Sequence, residues 1–143
     1  MIKTKGMVHF TISVSDIPRA KSFYCDLLGF DLIRESPRMI FCRSGNDYFV
    51  LTASKMPINP NPEGVVSIHH AFYVEPDEFD RSVQYLKDKG VEIAKEEERG
   101  AEAAFGGRHC YFYDPDHNVL ELLDPVCGIA ESKAGFYDNP PAK

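Results

Sequence analysis

The chain has 143 residues, a length that suits one domain whose core needs no disulfide or metal staple to fold. It is 43% hydrophobic and 27% charged, and its 22 acidic against 16 basic side chains give a net charge of −6. An acidic chain without a basic cluster is a poor partner for nucleic acid or an anionic membrane surface. No apolar run approaches the roughly 20 residues of a membrane span. The first residues run into an alternating pattern rather than a signal-peptide stretch, so the expected setting is the cytoplasm. Cys25, Cys42, Cys110 and Cys127 are far apart, form no C-x-x-C, and three of them sit in apolar stretches. They read as reduced, buried thiols. A catalytic cysteine is disfavoured because nothing nearby in sequence lowers a thiol pKa.

The first element is Val8-His9-Phe10-Thr11-Ile12-Ser13-Val14, an alternating stretch of β-formers that predicts a strand. Asp16 caps the following helix and Pro18 falls in its first turn, where a missing N–H is harmless. Ala20, Phe23, Tyr24, Leu27 and Leu28 form its apolar stripe, and Gly29 ends it. A strand follows over Phe30–Ile33, then a hairpin of Met39–Arg43 and Tyr48–Thr52.

The same order then returns. Ile68-His69-His70-Ala71-Phe72-Tyr73-Val74 matches the first strand. A helix capped by Asp77, with stripe Phe79, Val83 and Leu86, ends at Gly90. Val91–Ile93 and a hairpin of His109–Tyr113 and Val119–Leu123 complete the second copy. His9 and His69 stand 60 residues apart, and Gly29 and Gly90 stand 61 apart. The expected organisation is a single domain over 1–143: module one at 7–54, a Pro-rich linker at 55–67, module two at 68–124 and a tail at 125–143. The stretch from Glu96 to Gly107, charged and then Gly- and Ala-rich, reads as a long loop or a lid.

Strand phase selects the chemistry. If Phe10, Ile12 and Val14 pack under the helix, then His9, Thr11 and Ser13 face the other way. His69, Ala71 and Tyr73 share the equivalent face of the second copy, and so does Glu121, a carboxylate between leucines in Val119–Leu123. An ionised carboxylate in a buried strand needs a counter-charge. Two imidazoles and a carboxylate suit a divalent Zn, Ni, Fe, Mn or Co ion. The competing reading makes the histidines hydrogen-bonded core residues and pairs Glu121 with Arg108 or Arg99. His70 aligns with Phe10 and points toward the helix layer. His109 alternates with Tyr111, and if Tyr111 lies beside Glu121 on the open face, His109 becomes a substrate contact. Phe49, Leu51, Tyr73 and Phe105 are candidates for an apolar substrate wall, with core packing as the alternative. Arg108 reads as a carboxylate-binding residue or a surface ion pair.

The motifs His9–Asp16, Phe23-Tyr24 with Leu28-Gly29-Phe30, His69–Val74 and Tyr111–Leu122 resemble those of the vicinal oxygen chelate superfamily over about residues 7–125. That group includes glyoxalase I, fosfomycin-resistance enzymes, methylmalonyl-CoA epimerase, extradiol dioxygenases and bleomycin-resistance proteins. The resemblance implies an α+β fold of two βαβββ modules forming a cupped mixed sheet, the glyoxalase/bleomycin resistance/dioxygenase fold. It places the metal ligands on His9, His69 and Glu121. It gives Tyr111 and Thr11 catalytic or substrate-binding roles and implies a homodimer acting on a small molecule.

Glyoxalase I normally has a fourth ligand in the last strand of module one; here Tyr48–Ala53 offers none. Fosfomycin-type thiol transferases match at Thr11 and Tyr111, but their phosphonate-binding Lys and Arg fall near Ala101 and Ala130. Extradiol dioxygenases require an acid–base His and a Tyr, for which His109 and Tyr111 stand. Bleomycin-binding proteins usually lack the ligands. The resemblance therefore implies a lyase, isomerase or fosfomycin-type transferase, alternatively an Fe(II) ring-cleaving dioxygenase, or a non-catalytic antibiotic-binding protein.

Overall fold

The computed structural model describes residues 1–128 apart from 57, 63 and 65, and describes residues 126–128 by their backbone only. The tail, with Phe136, Tyr137 and Ala130, lies outside the described residues, as does the side chain of Cys127. The chain divides into two compact units, residues 1–59 and residues 60 onward, and the division falls inside the Pro-rich linker.

The first unit runs β1 (His9–Val14), α1 (Ile17–Lys21), a π-helical segment (Ser22–Leu27), β2 (Asp31–Ser36), β3 (Met39–Ser44) and β4 (Asp47–Ala53). Its sheet has the order β1-β4-β3-β2, with β1 parallel to β4 and the other pairs antiparallel. Asp16 does cap α1, its Oδ1 accepting the Arg19 N–H at 2.7 Å. The expected uninterrupted α-helix does not form. After one turn it widens, and Leu28 N–H reaches back five residues to the Phe23 carbonyl at 2.9 Å. The apolar stripe still buries Ala20 and Tyr24, and Gly29 leaves the helix at φ +78°.

The second unit runs β5 (His69–Tyr73), α2 (Phe79–Asp88), β6 (Ile93–Arg99), β7 (Phe105–Tyr113) and β8 (Val119–Gly128), in the sheet order β5-β8-β7-β6. The order is that of the first unit, with β5 parallel to β8, so both expected βαβββ modules are present. Phe79 and Val83 of α2 pack with Cys110, Ile93 and Leu122. Asp77 is not the cap: α2 starts after a turn closed by Glu78 N–H on the Glu75 carbonyl, and Glu78 holds the cap position without a side-chain bond.

The loop expected over Glu96–Gly107 is mostly hairpin. Glu96, Glu98 and Arg99 pair with Cys110, Arg108 and Gly107, leaving only residues 100–104 as a connection. The charge run belongs to an edge strand, where charged side chains discourage further strand pairing. The β7–β8 turn is built by Asp114, whose Oδ1 accepts the N–H groups of Asp116 and Asn118, each at 2.8 Å. His117 stands there at φ +61°, a structural position. The linker's end is tied down by Asn61, whose amide exchanges hydrogen bonds of 2.8 and 2.9 Å with the Ile68 backbone and so fixes the entry to β5. No helix among the described residues is long and apolar enough to cross a membrane.

Candidate metal centre

In the second unit Ala71 lies opposite Glu121, and Tyr111 lies opposite Glu121 on the other side. Alternation then gathers His69, Ala71 and Tyr73 of β5, Val119, Glu121 and Leu123 of β8, and His109, Tyr111 and Tyr113 of β7 on one face. Phe72, Leu120, Leu122, Cys110 and Phe112 take the other face, toward α2.

Glu121 is 3% exposed and its two oxygens are used separately. Oε2 lies 3.1 Å from His69 Nε2, and Oε1 lies 2.5 Å from His109 Nδ1. The other His69 nitrogen, Nδ1, is 2.7 Å from the Val66 carbonyl. A carbonyl can only accept, so Nδ1 carries a proton and Nε2 is the nitrogen that faces the carboxylate. Donors bonded at roughly 2.0–2.2 Å to one metal ion sit about 3 Å apart, so the observed spacing and donor types fit a divalent cation. The carbonyl behind Nδ1 is the partner that metal-ligating histidines commonly have. Within the second unit, among the described residues, no third His, Cys, Asp or Glu joins His69 and Glu121 in metal-holding geometry.

Tyr111 is buried, with its ring edge-on to His69 at 5.3 Å and parallel to His109 at 6.2 Å. Its hydroxyl bonds to Glu121 and accepts from Arg99 Nη2 at 3.2 Å. Burial first, and then the charge and hydrogen bond of Glu121, hold the phenol well above its usual range, with Arg99 pulling the other way. Tyr111 is therefore a neutral hydroxyl donor at neutral pH and not a base. Tyr73 is half-buried on the same face, opposite Leu123.

Neither arginine weighed as a partner takes Glu121. Arg99 pairs with Glu97. Arg108 donates to buried Asp124 (2.7 Å from Nε), to Asp80 (3.0 Å) and to the Pro76 carbonyl (2.7 Å), and it lies over the Phe79 ring. It ties α2 to β8, which is a structural role. Arg108→Met would strand the Asp124 carboxylate and is expected to destabilise the fold by about 3 kcal/mol in denaturant melts. Adding Asp124→Asn should recover part of the loss. A variant of native stability with impaired substrate binding would restore the carboxylate-binding role.

In the first unit His9, Thr11 and Ser13 line the exposed face of β1, as the alternation required. Phe49 and Leu51 do not share that face. Parallel pairing sets Phe49 beside Phe10 and Leu51 beside Ile12, so both are fully buried in the core and cannot form a substrate wall. Phe49 is the centre of a ring cluster with Phe10 at 5.5 Å, Tyr24 at 5.9 Å and Phe30 at 5.1 Å. The β4 residues that share the His9 face are Tyr48, Val50 and Thr52. Val50, opposite Thr11, occupies the place that Glu121 holds opposite Ala71 in the second unit. Phe105, the remaining wall candidate, is 48% exposed at the start of β7.

The three described thiols are held in the protonated form. Burial pushes Cys42 up to about 12 and Cys110 up to about 11. It also raises Cys25, whose sulfur lies 3.9 Å from that of Cys42. The contact that residue typing missed is His109 on Glu121. Counting the β7–β8 hairpin back from its turn sets Tyr111 opposite Glu121 and puts His109 diagonal to it, so the signal was register and not motif.

This fold has known counterparts. Residues 6–122 match the model of the Glyoxalase/Bleomycin resistance protein/Dioxygenase superfamily. The chain is 31% identical over 134 residues to the metallothiol transferase FosB of Staphylococcus haemolyticus, covering 93% of this chain and 91% of that one. It is 27% identical over 128 residues to biphenyl-2,3-diol 1,2-dioxygenase 3 of Rhodococcus globerulus, covering 85% of this chain and 64% of that one. Among solved structures it superposes on a mutant of the fosfomycin resistance protein FosX from Listeria monocytogenes complexed with Mn(II) and 1S,2S-dihydroxypropylphosphonic acid. The TM-score is 0.68, with 24% identity and coverage of 87% and 93% of the two chains. The chain belongs to the glyoxalase/bleomycin resistance/dioxygenase superfamily, whose fold its two repeated modules reproduce.

Proposed function

We propose that the protein is a metal-dependent enzyme holding one Zn, Ni, Fe, Mn or Co ion on His9, His69 and Glu121, and that it acts on a small oxygen-rich substrate as a transferase, lyase or isomerase. The observation that carries this reading is the 3.1 Å approach of His69 Nε2 to Glu121 Oε2. The names of the relatives support it, since FosB is a metallothiol transferase and a FosX structure contains Mn(II). His9 is assigned as the third ligand because β1 gives it the place in the first unit that β5 gives His69 in the second. A bound ion of this kind supplies Lewis acidity toward a developing oxyanion.

The remaining work falls to side chains. Tyr111 donates its hydroxyl proton as a hydrogen bond toward charge that builds beside Glu121. Thr11 offers a hydroxyl from the His9 face, and Tyr73 contributes apolar surface. The substrate is held as a small molecule by a homodimeric cytoplasmic protein.

The ring-cleaving dioxygenase is the second reading, favoured by the Rhodococcus relative. It is weaker because both nitrogens of His109, the histidine that stands for the acid–base group, are engaged, at 2.5 Å with Glu121 and 3.1 Å with the Phe105 carbonyl. In a metal-free antibiotic-binding protein His69 and Glu121 would serve only as a hydrogen-bonded pair.

The test is reconstitution of the apoprotein with each of the five metals, followed by elemental analysis. Turnover is then screened with fosfomycin plus a low-molecular-weight thiol, with hemithioacetals and with catechols. Metal-dependent turnover at one ion per chain is expected. Absence of bound metal, together with ligand binding unchanged in His9→Ala, would establish the binding-protein reading instead.

A further inference from the structure

We infer that Cys25 and Cys42 form a redox-sensitive pair, which hydrogen peroxide converts into a disulfide that staples the π-helical segment to β3. The inference is independent of the metal-centre reading.

The two sulfurs are 3.9 Å apart. They come from different elements, Cys25 from the π-helical segment Ser22–Leu27 and Cys42 from β3. A disulfide holds its sulfurs at about 2.05 Å, so a gap of about 2 Å has to close, a distance on the scale of side-chain rotation. Cys42 is the fixed partner. Its strand is bonded on both sides, with Leu32 opposite it on β2 and Phe49 opposite it on β4. The closing movement falls to the short, widened helical segment that carries Cys25.

Packing does not call for cysteine at either place, as the repeat shows. Gly29 and Gly90 stand 61 apart, and the same offset sets Cys25 against Leu86. Cys42 pairs with Phe49, which pairs with Phe10, whereas Phe112 pairs with Leu120, which pairs with His70. Cys42 therefore corresponds to Phe112. Where the second module buries Leu86 and Phe112, the first brings two thiols into contact.

Access sets the order of events. Cys25 is half-buried and within reach of a small oxidant, whereas Cys42 is fully buried. The Cys25 sulfur, as thiolate, attacks one peroxide oxygen. The O–O bond breaks, Cys25 becomes a sulfenic acid, and the departing hydroxide takes up the thiol's proton as water. The Cys42 sulfur then attacks the Cys25 sulfur. The S–O bond breaks, and hydroxide leaves with the Cys42 proton as a second water. Two sulfurs are oxidised and one peroxide is reduced. Burial keeps both thiols protonated, so the reaction is slow and the dithiol is the resting form. The bond would span 17 positions of the chain and enclose β2. Cys42 shares the core side of the sheet with Phe49, so the staple leaves the His9 face untouched.

The experiment treats the reduced full chain with hydrogen peroxide in native buffer and alkylates the remaining thiols. Tryptic peptides are then mapped by mass spectrometry without reductant. Residues 22–34 are expected joined to residues 39–43. The oxidised protein should melt about 5–10 °C higher, reversibly with dithiothreitol. Both peptides free and alkylated after oxidation would overturn the inference. So would Cys25 carried on to sulfinic acid while Cys42 remains alkylatable, or a joined pair with no reversible rise in melting temperature. Cys42→Val is expected to lose both the joined peptides and the rise; a rise that persists in that variant overturns the staple as its cause.

Discussion

Glu121→Ala is expected to lower divalent-metal affinity by at least about a thousandfold, or roughly 4 kcal/mol, and to reduce turnover to background. The effect is large because this one side chain meets three others. It faces Nε2 of His69, lies against Nδ1 of His109, and bonds to Tyr111. Removing it deletes a charged donor and also frees the ring that it orients. The apoprotein should suffer much less. Alanine relieves the desolvation of a carboxylate that is only 3% exposed, and that relief offsets the lost hydrogen bonds. The expected signature is a near-native apo melting temperature combined with loss of the stabilisation that metal confers on the wild type. Calorimetric titration and melts with and without Zn2+ read both quantities. Affinity within tenfold of wild type would remove Glu121 from the ligand set.

Phe49→Ala should behave in the opposite way. It is 1% exposed, and three rings pack against it at centroid distances of 5.1 to 5.9 Å. Truncation leaves a cavity between α1 and β4 and is expected to cost about 3–5 kcal/mol. Domains are stable by only about 5–15 kcal/mol in total, so a sizeable unfolded fraction at 37 °C follows. Metal affinity of the folded fraction should be unchanged, because Phe49 points away from the face that carries His9 and Thr11. Denaturant unfolding and metal titration at low temperature separate the two effects. Native stability with a changed substrate preference would return Phe49 to the substrate wall.

Much of this is legible in the sequence. The alternation in Val8–Val14 and Ile68–Val74 sorts each strand into a helix-facing and an open side, with His9, Thr11 and His69 on the open side. Strand phase is a two-state choice that burial patterns settle. The failures came where phase had to be carried across strands. Nothing within Tyr48–Thr52 shows whether Phe49 or Val50 faces the core, because both faces of that strand are apolar. Parallel pairing of β4 with β1 decides it. The stretch after Ile93 misled for a related reason: an edge strand bonded on one side can be as charged as a loop, and β6 is such a strand. The π-helical widening after Lys21 has no residue-level signal in the helical stripe. The His109 to Glu121 bond depended on counting the β7–β8 register past a bulge between two glycines, a step that residue type alone does not prompt.

The central proposal is that His9, His69 and Glu121 hold one metal ion. X-ray absorption spectroscopy of the Zn2+-loaded protein tests it most directly. The account predicts a first shell of nitrogen and oxygen only, with the multiple-scattering signature of two imidazoles, falling to one in His9→Ala and to one in His69→Ala. A sulfur scatterer, or two imidazoles persisting in His9→Ala, would contradict it.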